Sequence, residues 1–109
     1  MSDLPVVYIA HPVSGDVETN LAAAARWVRW AAVHMGVAPV APYIEMCAAM
    51  DDSDPEERAI GMRADHAILA KCDEVWLCGD RISEGMIGER DLANDLGIPV
   101  HRYTSKRGM

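Results

Sequence analysis

The chain has 109 residues, half of them hydrophobic and a quarter charged, with a formal net charge of −7 at pH 7. Such a composition belongs to a soluble globular protein, and the length suits one domain spanning residues 1–109, a three-layer sandwich around a short sheet with no second lobe. The acidic balance excludes duplex nucleic acid as an expected partner, no apolar run reaches the roughly 20 residues that span a bilayer, and the N-terminus lacks signal-peptide features, so a cytoplasmic protein without a membrane partner is expected.

Val6-Val7-Tyr8-Ile9-Ala10 is a continuous apolar run ended by His11-Pro12, the pattern of a strand buried on both faces. The turn Val13-Ser14-Gly15-Asp16 follows. From Thr19 to Met35 the spacing predicts a helix whose inward face carries Leu21, Ala25, Val28, Ala32 and Met35, stopped by Gly36. Arg26, Arg29 and His34 take the opposite side. Trp27 and Trp30 fall between the faces, where they pack at a rim or, if exposed, mark a subunit interface. Val37 to Ala41 reads as a second strand, and Pro39 places it at a sheet edge.

Tyr43 to Met50 suits a short helix over the carboxyl edge of the sheet. The acidic turn Asp51-Asp52-Ser53-Asp54-Pro55 caps a helix running from near Glu56 to Lys71, with Ile60, Ala64, Ala67, Ile68 and Leu69 inward. Val75 to Cys78 is the third strand, Gly85 to Leu96 the next helix, and Ile98 to Arg102 the fourth strand. This alternation predicts an α/β fold, a doubly wound, flavodoxin- or Rossmann-like parallel sheet of four to five strands, the tail being the candidate for the fifth. Cys47, Cys72 and Cys78 show no paired spacing and read as reduced core residues. His34, His66 and His101 have no metal-ligand spacing, and neither a metal nor another cofactor is expected.

Three strand ends point at one crevice: Tyr8 with His11 to Gly15, Tyr43 with Glu45, and Ser83 to Glu89. In a parallel sheet, ligands bind beyond the carboxyl ends of the strands, where the next helix offers free N–H groups. Glu89 in this position suits a nucleophile or a general base, with Ser83 and Gly85 holding an anion or a sugar hydroxyl. It equally suits a first-turn carboxylate favoured by the helix dipole.

The stretch Tyr8 to Gly15, the run from Asp65 to Asp73, and Ser83-x-Gly85-x-x-x-Glu89, in this order, resemble the nucleoside 2-deoxyribosyltransferase-like superfamily, which includes deoxyribosyltransferases and 2'-deoxynucleoside 5'-monophosphate N-glycosidases. The resemblance extends roughly from Val6 to Val100. It implies that Glu89 attacks the anomeric carbon, that Asp65 gives a proton to the base, and that Tyr8 supports Glu89. For the carboxyl groups to work, Glu89 is expected ionised and Asp65 protonated.

The same resemblance implies substrate contacts from His11, Pro12, Ser14, Gly15, Tyr43, Ser83 and Gly85. His11 stands where the family usually has glycine, and either gives a donor to a phosphate or closes the pocket. Arg63 and Arg81 are charged candidates for a phosphate, or ordinary surface residues. The implied activity is hydrolysis of the N-glycosidic bond of a small nucleoside or its 5'-monophosphate, with no cofactor. The alternatives are transfer to a second base by the same site, a non-catalytic nucleotide-binding module, and, more weakly, a nicotinamide-nucleotide hydrolase. The family's transferases are typically longer, and its members usually form homodimers or larger homo-oligomers. The Trp27/Trp30 face and seven methionines offer apolar surface for such assembly.

Overall fold

Four short apolar runs pair into an all-parallel sheet in the computed structural model, which describes residues 3–105. The strands are β1 (Val6–Ala10), β2 (Ala38–Val40), β3 (Glu74–Cys78) and β4 (Val100–Tyr103). Their spatial order is β2-β1-β3-β4. The helices are α1 (Val17–His34), α2 (Pro42–Ala49), α3 (Pro55–Leu69) and α4 (Glu84–Asp95). As the sequence predicts, β2 lies at an edge and tolerates Pro39 there. The expected fifth strand has no counterpart among the described residues, and Lys106 and Arg107 lie outside them.

The chain winds outward from β1 to β2, then returns across β1 to β3. Right-handed crossovers make that reversal a change of face, and the crevice between the carboxyl ends of β1 and β3 is where such a sheet receives ligands. Alternation along the strands divides the core. Val7, Ile9, Trp76 and Cys78 pack with Trp27 and Ala31 of α1. Tyr8, Ala10, Val75 and Leu77 pack on the other side with Tyr43, Leu69, Met86 and Ala93. At the opposite end of the sheet the carboxylate of Asp73 accepts the N–H of Val6 at 2.8 Å, so this acid ties β1 to β3 away from the crevice.

Two helices expose different faces from those their sequence patterns predict. In α1 the buried residues are Ala24, Trp27 and Ala31, while Met35 is 41% exposed and Ala25 and Ala32 are exposed. Alanines carry little apolar area, so the large Trp27 sets the rotation and the flanking alanines let the helix approach the sheet. In α3 the buried row is Gly61, Asp65 and Leu69; Ile60 and Ile68 point outward, and Ala67 is exposed. The tryptophans do not form an exposed pair. Trp27 is 2% exposed and meets the half-buried Trp30 edge-on, with ring centroids 5.2 Å apart. Trp30 in turn packs against Tyr103 at 5.2 Å and Trp76 at 5.9 Å.

Replacing Trp27 by alanine should lower the unfolding free energy in a urea titration by about 3–5 kcal/mol. Met35→Ala should change it by less than about 0.5 kcal/mol. Equal losses from the two variants would refute this orientation of α1.

Candidate active site

Helix α4 begins where Ser83 caps it: the Ser83 hydroxyl accepts the N–H of Met86 at 3.3 Å, and the Met86 sulfur faces the N–H of Ser83 at 3.5 Å. This cap fixes the rotation of the helix. Met86, Glu89 and Ala93 then form its buried face. Glu89 therefore stands in the second turn and not the first, and its position is set by burial against β1 rather than by the helix dipole.

Buried Tyr8, on the central strand, donates its hydroxyl hydrogen to Oε2 of Glu89 at 2.5 Å. Asp65 lies on the buried row of α3, and its Oδ1 has no hydrogen-bond partner among the described residues. Both acids line one cavity of about 200 Å³. A water's share of the liquid is about 30 Å³, so the space suits a small ligand.

Of the residues singled out from the sequence, His11, Ser14, Tyr43, Asp65, Ser83, Gly85 and Glu89 line the cavity. Tyr8 stands behind Glu89. Tyr43 is buried and donates to the carbonyl of Ile9 at 2.5 Å, which fixes its ring beside the end of β1. Pro12 and Gly15 do not line the cavity. Pro12 is buried and its carbonyl accepts from Nδ1 of His11 at 2.8 Å; Gly15 is exposed on the outside of the turn. Glu45 and Arg63 are exposed and likewise off the cavity wall. Arg81 donates to the carbonyl of Ser14 at 3.0 Å, joining the turn after β1 to the loop after β3.

The α2–α3 wall carries residues that the sequence reading did not select: Met46, Cys47, Met50, Asp52, Glu57, Arg58, Met62 and His66. The available signal was helical spacing from Asp65, because residues 58, 61 and 62 lie three to seven positions before it on one side of a helix. Met46, Met50, Met62 and Met86 face this space. Thioether side chains adapt to flat or irregular ligands. Among the described residues, no three His, Cys, Asp or Glu side chains cluster as a metal site.

Burial sets the charge states. It pushes the carboxyl of Glu89 up to about 7, with the Tyr8 hydrogen bond pulling down and the charge of Asp65 adding to the rise. It pushes Asp65 up to about 6. Both shifts favour the neutral carboxyl, and the Tyr8 hydrogen bond favours ionisation at Glu89 alone. Burial also raises both tyrosines, which remain hydrogen-bond donors.

A family model matches residues 5–103. The chain belongs to the family described as a domain of unknown function, DUF7768. No curated protein matches it. Among solved structures, the DUF7768 domain is similar to a 2-deoxyribosyltransferase from the psychrotolerant bacterium Bacillus psychrosaccharolyticus, described as a biocatalyst for synthesis of antiviral and antitumoral nucleosides. The two share 19% sequence identity and superpose with a TM-score of 0.66, over 91% of this chain and 72% of the other. The two proteins therefore share an α/β fold. No helix among the described residues is long and apolar enough to cross a membrane.

The two raised carboxyl groups set a pH dependence of stability. Each folded-state value exceeds its ordinary value, 3.8 for Asp65 and 4.5 for Glu89, so their contribution is complete below about pH 4 and is lost as pH rises through about 6 to about 7. The melting temperature of the parent minus that of an Asp65→Asn, Glu89→Gln double variant should fall across this window in calorimetry. A difference that stays constant, or rises with pH, would contradict the burial assigned to these acids.

Proposed function

We propose that the DUF7768 domain cleaves the N-glycosidic bond of a nucleoside or nucleoside 5'-monophosphate, as a hydrolase acting through a glycosyl ester on Glu89. The observation that carries this reading is one cavity holding a buried glutamate gripped by a tyrosine together with a buried aspartate whose Oδ1 has no partner among the described residues. Breaking an N-glycosidic bond develops positive charge on the sugar and negative charge on the base. A carboxylate at the sugar and an acid at the base stabilise both.

Tyr8 holds Oε2 of Glu89, which leaves Oε1 to attack the anomeric carbon. As the bond to the base breaks, the base nitrogen takes the proton of Asp65. Water then attacks the same carbon, Asp65 accepts its proton, and Glu89 departs as a carboxylate. The working form has Glu89 ionised and Asp65 protonated. The Tyr8 hydrogen bond favours the ionised glutamate, and burial favours the protonated aspartate. A base nitrogen that accepts a hydrogen bond from protonated Asp65 draws the pair into that form on binding.

A second reading, transfer to another base in place of water, is favoured by the likeness to a 2-deoxyribosyltransferase. Both readings are tested by incubating the protein with ribo- and deoxyribonucleosides and their 5'-monophosphates, with and without an acceptor base, and following free base by chromatography. Base release should fall by on the order of a thousandfold or more in Glu89→Gln. Exchange with the acceptor would establish transfer. A ligand that raises the melting temperature without releasing base would replace catalysis with a binding module.

The pH profile of kcat/KM should be bell-shaped, with limbs near 6 and 7 belonging to the pair. Tyr8→Phe removes the hydrogen bond that favours ionised Glu89, and should move the upper limb to higher pH while lowering the maximum. A limb that does not move would separate Tyr8 from the reacting pair.

A further inference from the structure

His11 lines the cavity from the turn after β1, and its ring is fixed on two sides. A carbonyl can only accept, so the 2.8 Å contact to Pro12 O places the ring hydrogen on Nδ1. Nε2 of the neutral ring then carries a lone pair. The ring stands against Gly79, whose φ of +104° suits glycine, and where a Cβ would come within 3.1 Å of both Cδ2 and Nε2. The absent side chain is what lets the imidazole occupy this wall.

The surroundings keep this imidazole neutral. Partial burial holds its pKa below the ordinary value, and the positive charges of Arg81 and Arg26 act in the same direction, against the Pro12 hydrogen bond and Asp80. A neutral Nε2 accepts from a hydroxyl and repels a phosphate oxygen, which is also an acceptor. Asp52, Glu57, Asp65 and Glu89 place four carboxyl groups on the same cavity. Arg58 also lines the cavity, seven residues before Asp65 and about 10 Å from it along α3.

We infer that His11 reads a free hydroxyl of the sugar, so that the site takes an unphosphorylated nucleoside in preference to its 5'-monophosphate. This deepens the N-glycosidic reading above and rests on it for the orientation of the ligand.

The test is calorimetric titration of the Glu89→Gln protein with a nucleoside, its 5'-monophosphate and inorganic phosphate, alongside kcat/KM of the parent for the first two. The nucleoside should bind on the order of tenfold more tightly than the monophosphate, the scale of one unmade hydrogen bond, and phosphate alone should give no heat. His11→Lys should shift the ratio toward the monophosphate by about tenfold, with the melting temperature monitored to exclude misfolding. His11→Gln, which keeps an acceptor oxygen, should retain the preference.

A monophosphate that binds as well as the nucleoside, or a ratio indifferent to His11→Lys, overturns the inference. Base release chiefly from monophosphates would do so while leaving the glycosidase reading intact. A His11-dependent nucleoside preference without base release would remove that reading and keep the specificity. Binding of neither ligand removes both.

Discussion

The hydrogen bond from Tyr8 to Glu89 joins the central strand to the helix after β3, across 81 positions of sequence. It is the contact on which the site depends. Tyr8 is enclosed by the core, so its hydroxyl cannot turn to water, and the helix cap at Ser83 leaves Glu89 facing it. A charge-assisted bond of this kind is stronger than one between neutral groups and counters the burial that drives the carboxyl toward its neutral form. The sheet order makes the meeting possible, because β1 and β3 are neighbours and their carboxyl ends open on the same crevice.

Asp65 is the counterpart of that satisfied acid. Its Oδ1 is buried without a partner among the described residues, an arrangement that costs stability and that a core built only for packing would not hold. The same helix row holds Gly61 in contact range of α2 and Leu69 in the core, so an apolar anchor keeps the acid in place. Methionines complete the wall with surface that can conform to a ligand ring.

The alternation of strands and helices was legible in the sequence, because each strand is a compact apolar run and the acidic turn ending in Asp54-Pro55 marks the start of α3. The placement of Glu89, Asp65, His11, Ser14, Tyr43, Ser83 and Gly85 around one crevice was legible too, since they fall at strand ends or one helix face. Helix rotation was not. Hydrophobic periodicity points Ile60 and Ile68 of α3 inward, whereas the fold turns Gly61 and Asp65 there. Functional groups occupying an inner face invert the apolar pattern that usually marks it. Arg58 and Met62 were missed for the same reason, and Pro12 and Gly15 were included because a turn's sequence does not reveal which of its residues face the ligand.

All three tryptophans of the chain, Trp27, Trp30 and Trp76, meet in one aromatic cluster with Tyr103 on the α1 side of the sheet, and none of them lines the cavity. The buried tyrosines Tyr8 and Tyr43 lie on the opposite side, at the site. The protein therefore carries two optically distinct reporters separated by its own sheet. Indole emission follows the integrity of the α1 layer, while the phenols of Tyr8 and Tyr43, though not that of Tyr103, answer to events around Glu89, so unfolding and occupancy can be watched in one unlabelled sample.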